Sequence, residues 1–264
     1  MSLQSHHIFV ASCDEELPGA TEWYEILQKQ FNNGTFHVFD WFSSYQKSIE
    51  NSQKEERIGA LESYFKTIHQ DCEKVSIVIR TTWDYVDHYD EFLDWLHMLA
   101  VIQNQSPNSF QIYNEPEMMI WNSSKRYLFE IQNEWKGFHI VPSQIMTREQ
   151  FESVSNEDLI EKYCNEFECD KIVIKPMVSA GSFNTFVLSR DSETTHDFAK
   201  DSHTKLESLR TSLRESDFKT PDRYNLIVQP FIQRIVTDGE YSFIYIAEKP
   251  SHMLWKKPKE GDFR

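Results

Sequence analysis

Glycine is scarce in this chain, with seven residues in 264. Three of the seven, Gly181, Gly239 and Gly261, fall in segments singled out below, and scarcity makes their placement informative. No GxGxxG and no Walker A sequence occurs, so dinucleotide and P-loop readings lack their central signal. The four cysteines, Cys13, Cys72, Cys164 and Cys169, form no CxxC pair. Cys164 and Cys169 have no second pair to complete a zinc site, and no disulfide framework is indicated. No apolar run approaches the roughly 18 residues of a membrane span, and Ile8 to Ala11 is too short for a signal peptide. These absences lead to the expectation of a soluble, cytoplasmic protein with reduced thiols. Positive charge is also short: 27 Lys and Arg against 42 Asp and Glu give a formal charge of −15. That balance argues against a nucleic-acid or anionic-membrane partner, while a local basic pocket for a phosphate stays open.

What is present reads as a folded chain. A hydrophobic content of 39% and an aromatic content of 14% fit a core large enough for two or three lobes. Strands are expected at His6–Ser12, Thr35–Phe39, Lys74–Ile79 and Phe110–Tyr113. Helices are expected at Glu22–Phe31, Lys54–His69 and His88–Gln103. In the second helix, Ile58, Leu61, Phe65 and Ile68 recur at spacings of three and four, the mark of one buried face. Strands alternating with helices predict an α/β lobe with a parallel sheet.

The third strand runs into Arg80-Thr81-Thr82-Trp83-Asp84. Ligands collect at the carboxyl ends of strands in open α/β sheets, which makes Arg80 and Asp84 substrate-contact candidates beside an equal case for loop capping. The run Asp87-His88-Tyr89-Asp90-Glu91, with Asp94 and His97, holds metal-ligand residue types. Acidic residues also favour a helix's first turn, and a solvated helical face is the preferred reading.

Further on, Ser123 or Ser124 is expected to cap a helix through Leu128 and Ile131 to Trp135. That places Lys125 in the first turn, where the helix dipole disfavours a cation unless an anion lies nearby. His139–Val141 reads as extended and Asn156–Phe167 as helical. Lys171–Phe186 opens with the β-branched run Ile172-Val173-Ile174, read as a strand buried on both faces, and Lys175 stands at its end. A loop of small residues, Val178 to Ser182, separates it from a return strand at Phe183–Leu188. A lysine beside such a loop has the parts of a phosphate clamp, a point charge and backbone N–H donors. An ordinary hairpin with a surface lysine is the alternative. Ser189–Tyr224 is polar and reads as a mobile surface excursion with a helix around Leu206, Leu209 and Leu213. Strands follow at Asn225–Gln229, Tyr241–Ala247 and His252–Trp255.

Five segments in order, RTTWDY (80–85), WNSSKRYL (121–128), VIKPMVSAGSFNTF (173–186), VQPFIQRIVTDGEYS (228–242) and SHMLWKKPKEGDFR (251–264), together resemble the ATP-grasp superfamily in its glutathione-synthetase-like branch. The likeness extends to a group that includes a cycloserine-forming ligase. It implies an α/β chain, α+β in the ATP-grasp lobes. Residues 1–119 would be a Rossmann-like lobe, 120–231 the central ATP-grasp subdomain, and 232–264 the start of a C-terminal subdomain whose remainder is absent. The implied activity is ATP-dependent carboxylate–amine ligation through an acyl phosphate, on a small amino-acid-like or peptide substrate. A degenerate nucleotide-binding protein without turnover is the alternative, and an unrelated α/β binding module ranks last.

By the same resemblance, Lys125 and Lys175 would reach the nucleotide phosphates, and Ser179, Ala180, Gly181 and Ser182 would close over them. Gln229, Pro230, Phe231 and Ile232 would line the adenine pocket, and Glu240 would take the ribose hydroxyls. Lys256 and Arg264 would act on phosphate or substrate. ATP and Mg2+ are implied, the metal ligands being an acidic residue and a Glu-x-Asn beyond residue 264. The expected partners are thus ATP and a small carboxylate, with a homo-oligomer compatible and neither nucleic acid nor membrane.

Overall fold

The computed structural model describes residues 6–13, 34–50, 53–67, 74–190, 197–215 and 218–258. The expected helix at Glu22–Phe31 lies outside them, as do Cys72, Gly261 and Arg264. Two compact units divide the chain, Met1–Ser124 and Lys125–Arg264.

The first unit is built on four parallel strands, β1 (His6–Ser12), β2 (Gly34–Asp40), β3 (Lys74–Thr81) and β4 (Phe110–Tyr113), in the order β2-β1-β3-β4. Its helices are α1 (Trp41–Ile49), α2 (Lys54–Thr67), α3 (Tyr89–Gln105) and α4 (Pro116–Ser123). Asp40 starts α1 directly from the end of β2, accepting from the Phe42 and Ser43 amides at 3.1 and 3.0 Å. Leu61 and Phe65 on α2 are fully buried and Ile58 packs against the same cluster, as their spacing requires.

Aromatic residues dominate this core. The Trp41 ring meets Phe92 and Trp95 at centroid distances of 5.0 and 5.6 Å, and Phe65 meets Phe9 and Phe39 at 5.3 Å edge to face. On α3, Asp90 and Glu91 occupy the first turn. Asp94 is no solvated bystander, however: the Tyr45 hydroxyl donates to it at 3.2 Å and Arg57 pairs with it.

The second unit carries an antiparallel sheet ordered β5-β8-β6-β7, from Gln144–Met146, Leu226–Pro230, Lys171–Pro176 and Phe186–Ser189. Its helices are α5 (Tyr127–Glu134), α6 (Arg148–Ser153), α7 (Asn156–Glu166), α8 (Asp197–Glu215) and α9 (Gln233–Thr237). Several expectations need correction. The helix after Ser124 begins at Tyr127, and Ser123 ends α4 instead of capping α5. Lys125 therefore precedes the helix, and the dipole argument does not apply to it. His139–Val141 forms no strand; the short strand comes later, at Gln144–Met146. The return strand starts at Phe186, because Ser182 and Asn184 take φ of +61° and +50° and break the extended backbone.

α8 also belongs to the packed core, not to a surface excursion. Leu206, Leu209 and Leu213 form its buried stripe and join Phe186 and Leu188 of β7. Between them Arg210 is only 4% exposed. Its guanidinium lies 4.1 Å from the Phe151 ring centre and donates to Asn156 Oδ1 at 2.7 Å.

A separate antiparallel hairpin, β9 (Glu240–Ile246) with β10 (Lys249–Lys256), follows. It is apolar yet uncovered among the described residues: Phe243 is 67% and Trp255 59% exposed. No helix among the described residues is long and apolar enough to cross a membrane.

Candidate functional site

A strand side-chain period of two gives the second sheet two faces. On β6, Ile172 and Ile174 enter the core, while Val173 and Lys175 line a cavity on the other side. The run is thus buried on one face and lines a site on the other. β8 behaves alike, with Leu226 and Val228 in the core and Gln229 at the cavity. The cavity has a volume of about 490 Å³, inside the range of small-molecule sites.

Lys125 reaches this cavity from the turn before α5, anchored by its own amide, which donates to the Met177 carbonyl at 2.9 Å. Its ammonium donates to the Ser179 carbonyl and hydroxyl oxygens at 2.9 and 2.8 Å. Burial and, second, the neighbouring charge of Lys175 lower its pKa to about 8. Burial also lowers that of Lys175. Among the described residues no carboxylate or hydrogen-bond acceptor partners the Lys175 ammonium. Two half-buried cations side by side are costly without an anion, since desolvation disfavours the charged form and like charges add to it.

The Ser179–Ser182 loop borders both lysines. Gly181 has φ +56°, so the turn enters the left-handed region where glycine is least strained. The opposite wall is apolar, with Val141, Pro230, Phe231, Ile232, Ile235 and Val236. The Phe231 amide donates to the Lys171 carbonyl at 2.9 Å, fixing the hinge after β8. Glu240 opens β9 opposite Lys256, and their charged groups lie 3.8 Å apart at the cavity rim. Gly239 before it, at φ +84°, ends α9. A Cβ there would lie 2.6 Å from the Lys256 carbonyl and the Trp255 indole nitrogen.

One cavity therefore gathers Lys125, Lys175, Ser179, Ala180, Gly181, Ser182, Gln229, Pro230, Phe231, Ile232, Glu240 and Lys256. Arg80 and Asp84 are elsewhere, in the first unit. Arg80 is exposed near the end of β3, and Asp84 accepts from the Trp41 indole N–H at 2.8 Å. Burial raises the Asp84 pKa. Sequence reasoning missed Val141, Ile235 and Val236. The last two form an apolar pair in α9, a five-residue helix too short to show a period.

No curated protein sequence matches the chain. The family described as the N-terminal domain of D-cycloserine synthetase DcsG matches residues 73–105, which hold all of β3 and α3. Among solved structures, D-cycloserine synthetase DcsG is 15% identical, with a TM-score of 0.60 over 95% of this chain and 68% of that one. The ATP-grasp ligase PsnB complexed with minimal precursor is 14% identical (TM-score 0.43; 86% of this chain, 64% of that one). The D-alanine-D-alanine ligase from Coxiella burnetii is 11% identical (TM-score 0.43; again 86% and 64%). The chain thus spans 64–68% of the length of these structures. Its strand order, its cavity-lining sheet and the likeness to the first of these structures give one conclusion: the chain has the ATP-grasp fold.

Proposed function

We propose that this cavity binds ATP and that the chain forms part of an ATP-dependent carboxylate–amine ligase. The observation that carries the reading is the pair of half-buried lysines in one cavity, neither paired with a carboxylate among the described residues. A polyphosphate supplies the missing anion and gains charge-assisted hydrogen bonds from lysines already partly desolvated. The apolar wall suits a base, and Glu240 offers an acceptor for ribose hydroxyls.

In this reading a substrate carboxylate oxygen attacks the γ-phosphorus, and ADP leaves. An amine then attacks the acyl carbon, expels phosphate and loses its proton. The part of Lys125 and Lys175 is electrostatic: they hold the phosphates and offset charge at the transferred group. The substrate's identity, Lys256 acting on it and the role of Arg264 belong to the same proposal. Mg2+ is another matter. Glu240, the cavity's single carboxylate among the described residues, already faces Lys256, and a divalent cation wants about six oxygen ligands. These residues alone do not hold it. A second reading, nucleotide binding without turnover, rests on the same pair of lysines and needs no metal.

Thermal unfolding with and without ATP or ADP tests the binding, because a ligand that binds only the folded state raises the melting temperature. The expected result is a rise that Lys175→Met reduces, with affinity falling by about tenfold to a hundredfold. An equal rise in folded Lys175→Met would remove Lys175 from the site. Release of ADP in the presence of magnesium and amino acids separates the ligase from the binding protein.

A further inference from the structure

We infer that Cys164 and Cys169 form a dithiol–disulfide pair, a modification site that a peroxide oxidises and a thiol reductant restores. The site lies in the second unit and is independent of the nucleotide reading of the cavity.

The way α7 ends sets the pair. The Cys169 amide donates to the Cys164 carbonyl at 3.0 Å, and the Glu168 amide donates to the Asn165 carbonyl at 3.4 Å. Glu168 itself takes φ +52°. Two nested bonds around a left-handed residue make a Schellman motif. In it Cys164 stands third from the end of the helix and Cys169 two residues past the cap, Phe167. The motif brings the side chains at those two positions together, a place ordinarily filled by an apolar pair. Here both are cysteines with free thiols, and that of Cys164 is hydrogen-bonded to that of Cys169. Cysteines whose side chains diverge cannot be bridged without moving the backbone; these two already converge.

The two sulfurs differ in access. Cys164 is 1% exposed and packed in the core of the second unit. Burial, and after it the neighbouring Cys169, push its thiol up to a pKa of about 11. It is therefore a poor nucleophile towards reagents in water. Cys169 is partly exposed, and its thiol donates its one hydrogen to the Lys171 carbonyl at 3.2 Å. Its sulfur is left to face Cys164 as an acceptor.

Cys169 accordingly meets the oxidant first. Its sulfur attacks one oxygen of hydrogen peroxide and the O–O bond breaks. The other oxygen leaves with the thiol proton as water, and Cys169 becomes a sulfenic acid. The Cys164 sulfur, already in contact, then attacks the Cys169 sulfur. The S–S bond forms, the S–O bond breaks, and the departing hydroxide takes the Cys164 proton as a second water. Two thiols have lost two electrons and two protons. The bridge ties the end of α7 to the approach to β6.

Trypsin cuts after Lys162 and Lys171, so both cysteines fall in one peptide, Tyr163–Lys171. The full folded chain is treated with hydrogen peroxide, alkylated in denaturant to trap remaining thiols, digested and weighed by mass spectrometry. The expected product is this peptide, unalkylated and two hydrogens lighter than its reduced form, restored by dithiothreitol. The oxidised chain should also melt a few degrees higher than the reduced one. In Cys164→Ala no light peptide forms and Cys169 goes on to the sulfinic acid. Cys169→Ser changes a partly exposed position and leaves Cys164 reduced, which covers the case in which the first variant does not fold. Alkylation of both cysteines in peroxide-treated wild type overturns the inference. So does Cys169 oxidised without a bridge to Cys164, or either cysteine joined to Cys13 or Cys72.

Discussion

The parallel sheet of the first unit and the antiparallel elements of the second solve the burial problem in opposite ways. Between α1, α2 and α3, the sheet β2-β1-β3-β4 encloses a ring cluster in which Trp41, Phe65, Phe92 and Trp95 are fully buried. In the second unit, β6 and β8 spend one face on a core and leave the other to a cavity holding two lysines. The β9–β10 hairpin goes further and leaves Tyr241, Phe243, Tyr245 and Trp255 exposed. The lesson is that apolar content alone does not report stability. Aromatics lower the free energy where they are enclosed, and a cavity face stays open where chemistry needs charge.

The sharpest way to break that comparison is to remove a ring from each region. Phe65→Ala should destabilise the first unit by about 3–5 kcal/mol. Phe243→Ala, on the exposed hairpin, should stay within about 0.5 kcal/mol. Denaturant unfolding followed by tryptophan fluorescence measures both, and equal effects would erase the distinction.

Gly239→Ala comes next. A left-handed backbone and a clash with the Lys256 carbonyl together predict a loss of about 1–3 kcal/mol. Because the strain falls where Glu240 and Lys256 pair, the hairpin should open first, visible as faster amide exchange along β9.

Lys125 supplies a pH test. Its folded-state pKa of about 8 lies below the ordinary lysine value. Between pH 8 and the ordinary value near 10.4 the unfolded chain therefore holds more protons, and stability rises with pH across that window. Below pH 8 the buried ammonium is a constant penalty. Lys125→Met lacks this dependence, so its stability relative to wild type should fall as pH rises from 8 towards 10.4. Parallel curves for the two proteins would show that Lys125 is not buried as described.

A small stabilisation is expected at the hairpin turn. Ala247 and Glu248 both adopt positive φ, +49° and +63°, where Asn-Gly is the favoured pair. Glu248→Gly should stabilise by about 0.5–1 kcal/mol, read as a raised melting temperature of the full chain.

Much of this was legible in the chain itself. The bounds of β1 and β4 follow from β-branched and aromatic runs, and α2 and α3 from apolar spacing. Lys125, Lys175, Gln229 and Glu240 were reached through five motifs in order, although motifs alone do not place side chains in one cavity. Less was legible where elements are short. β5 has three residues and α9 five, below one clear period. α4 was missed because its apolar residues, Met118 to Trp121, are not its buried ones; its buried positions are Pro116 and Ser123.

By itself, then, the sequence determined the parallel α/β lobe, because a period of two or near 3.6 is a local property that survives in the order of residues. Tertiary structure alone decided that Val173 faces a cavity and not a second core, and that Leu206, Leu209 and Leu213 belong to the interior. It alone set Gln229 against Ser143, 86 residues apart. Which face of a strand is covered, and which hydroxyl meets which amide, depends on what the rest of the chain brings alongside.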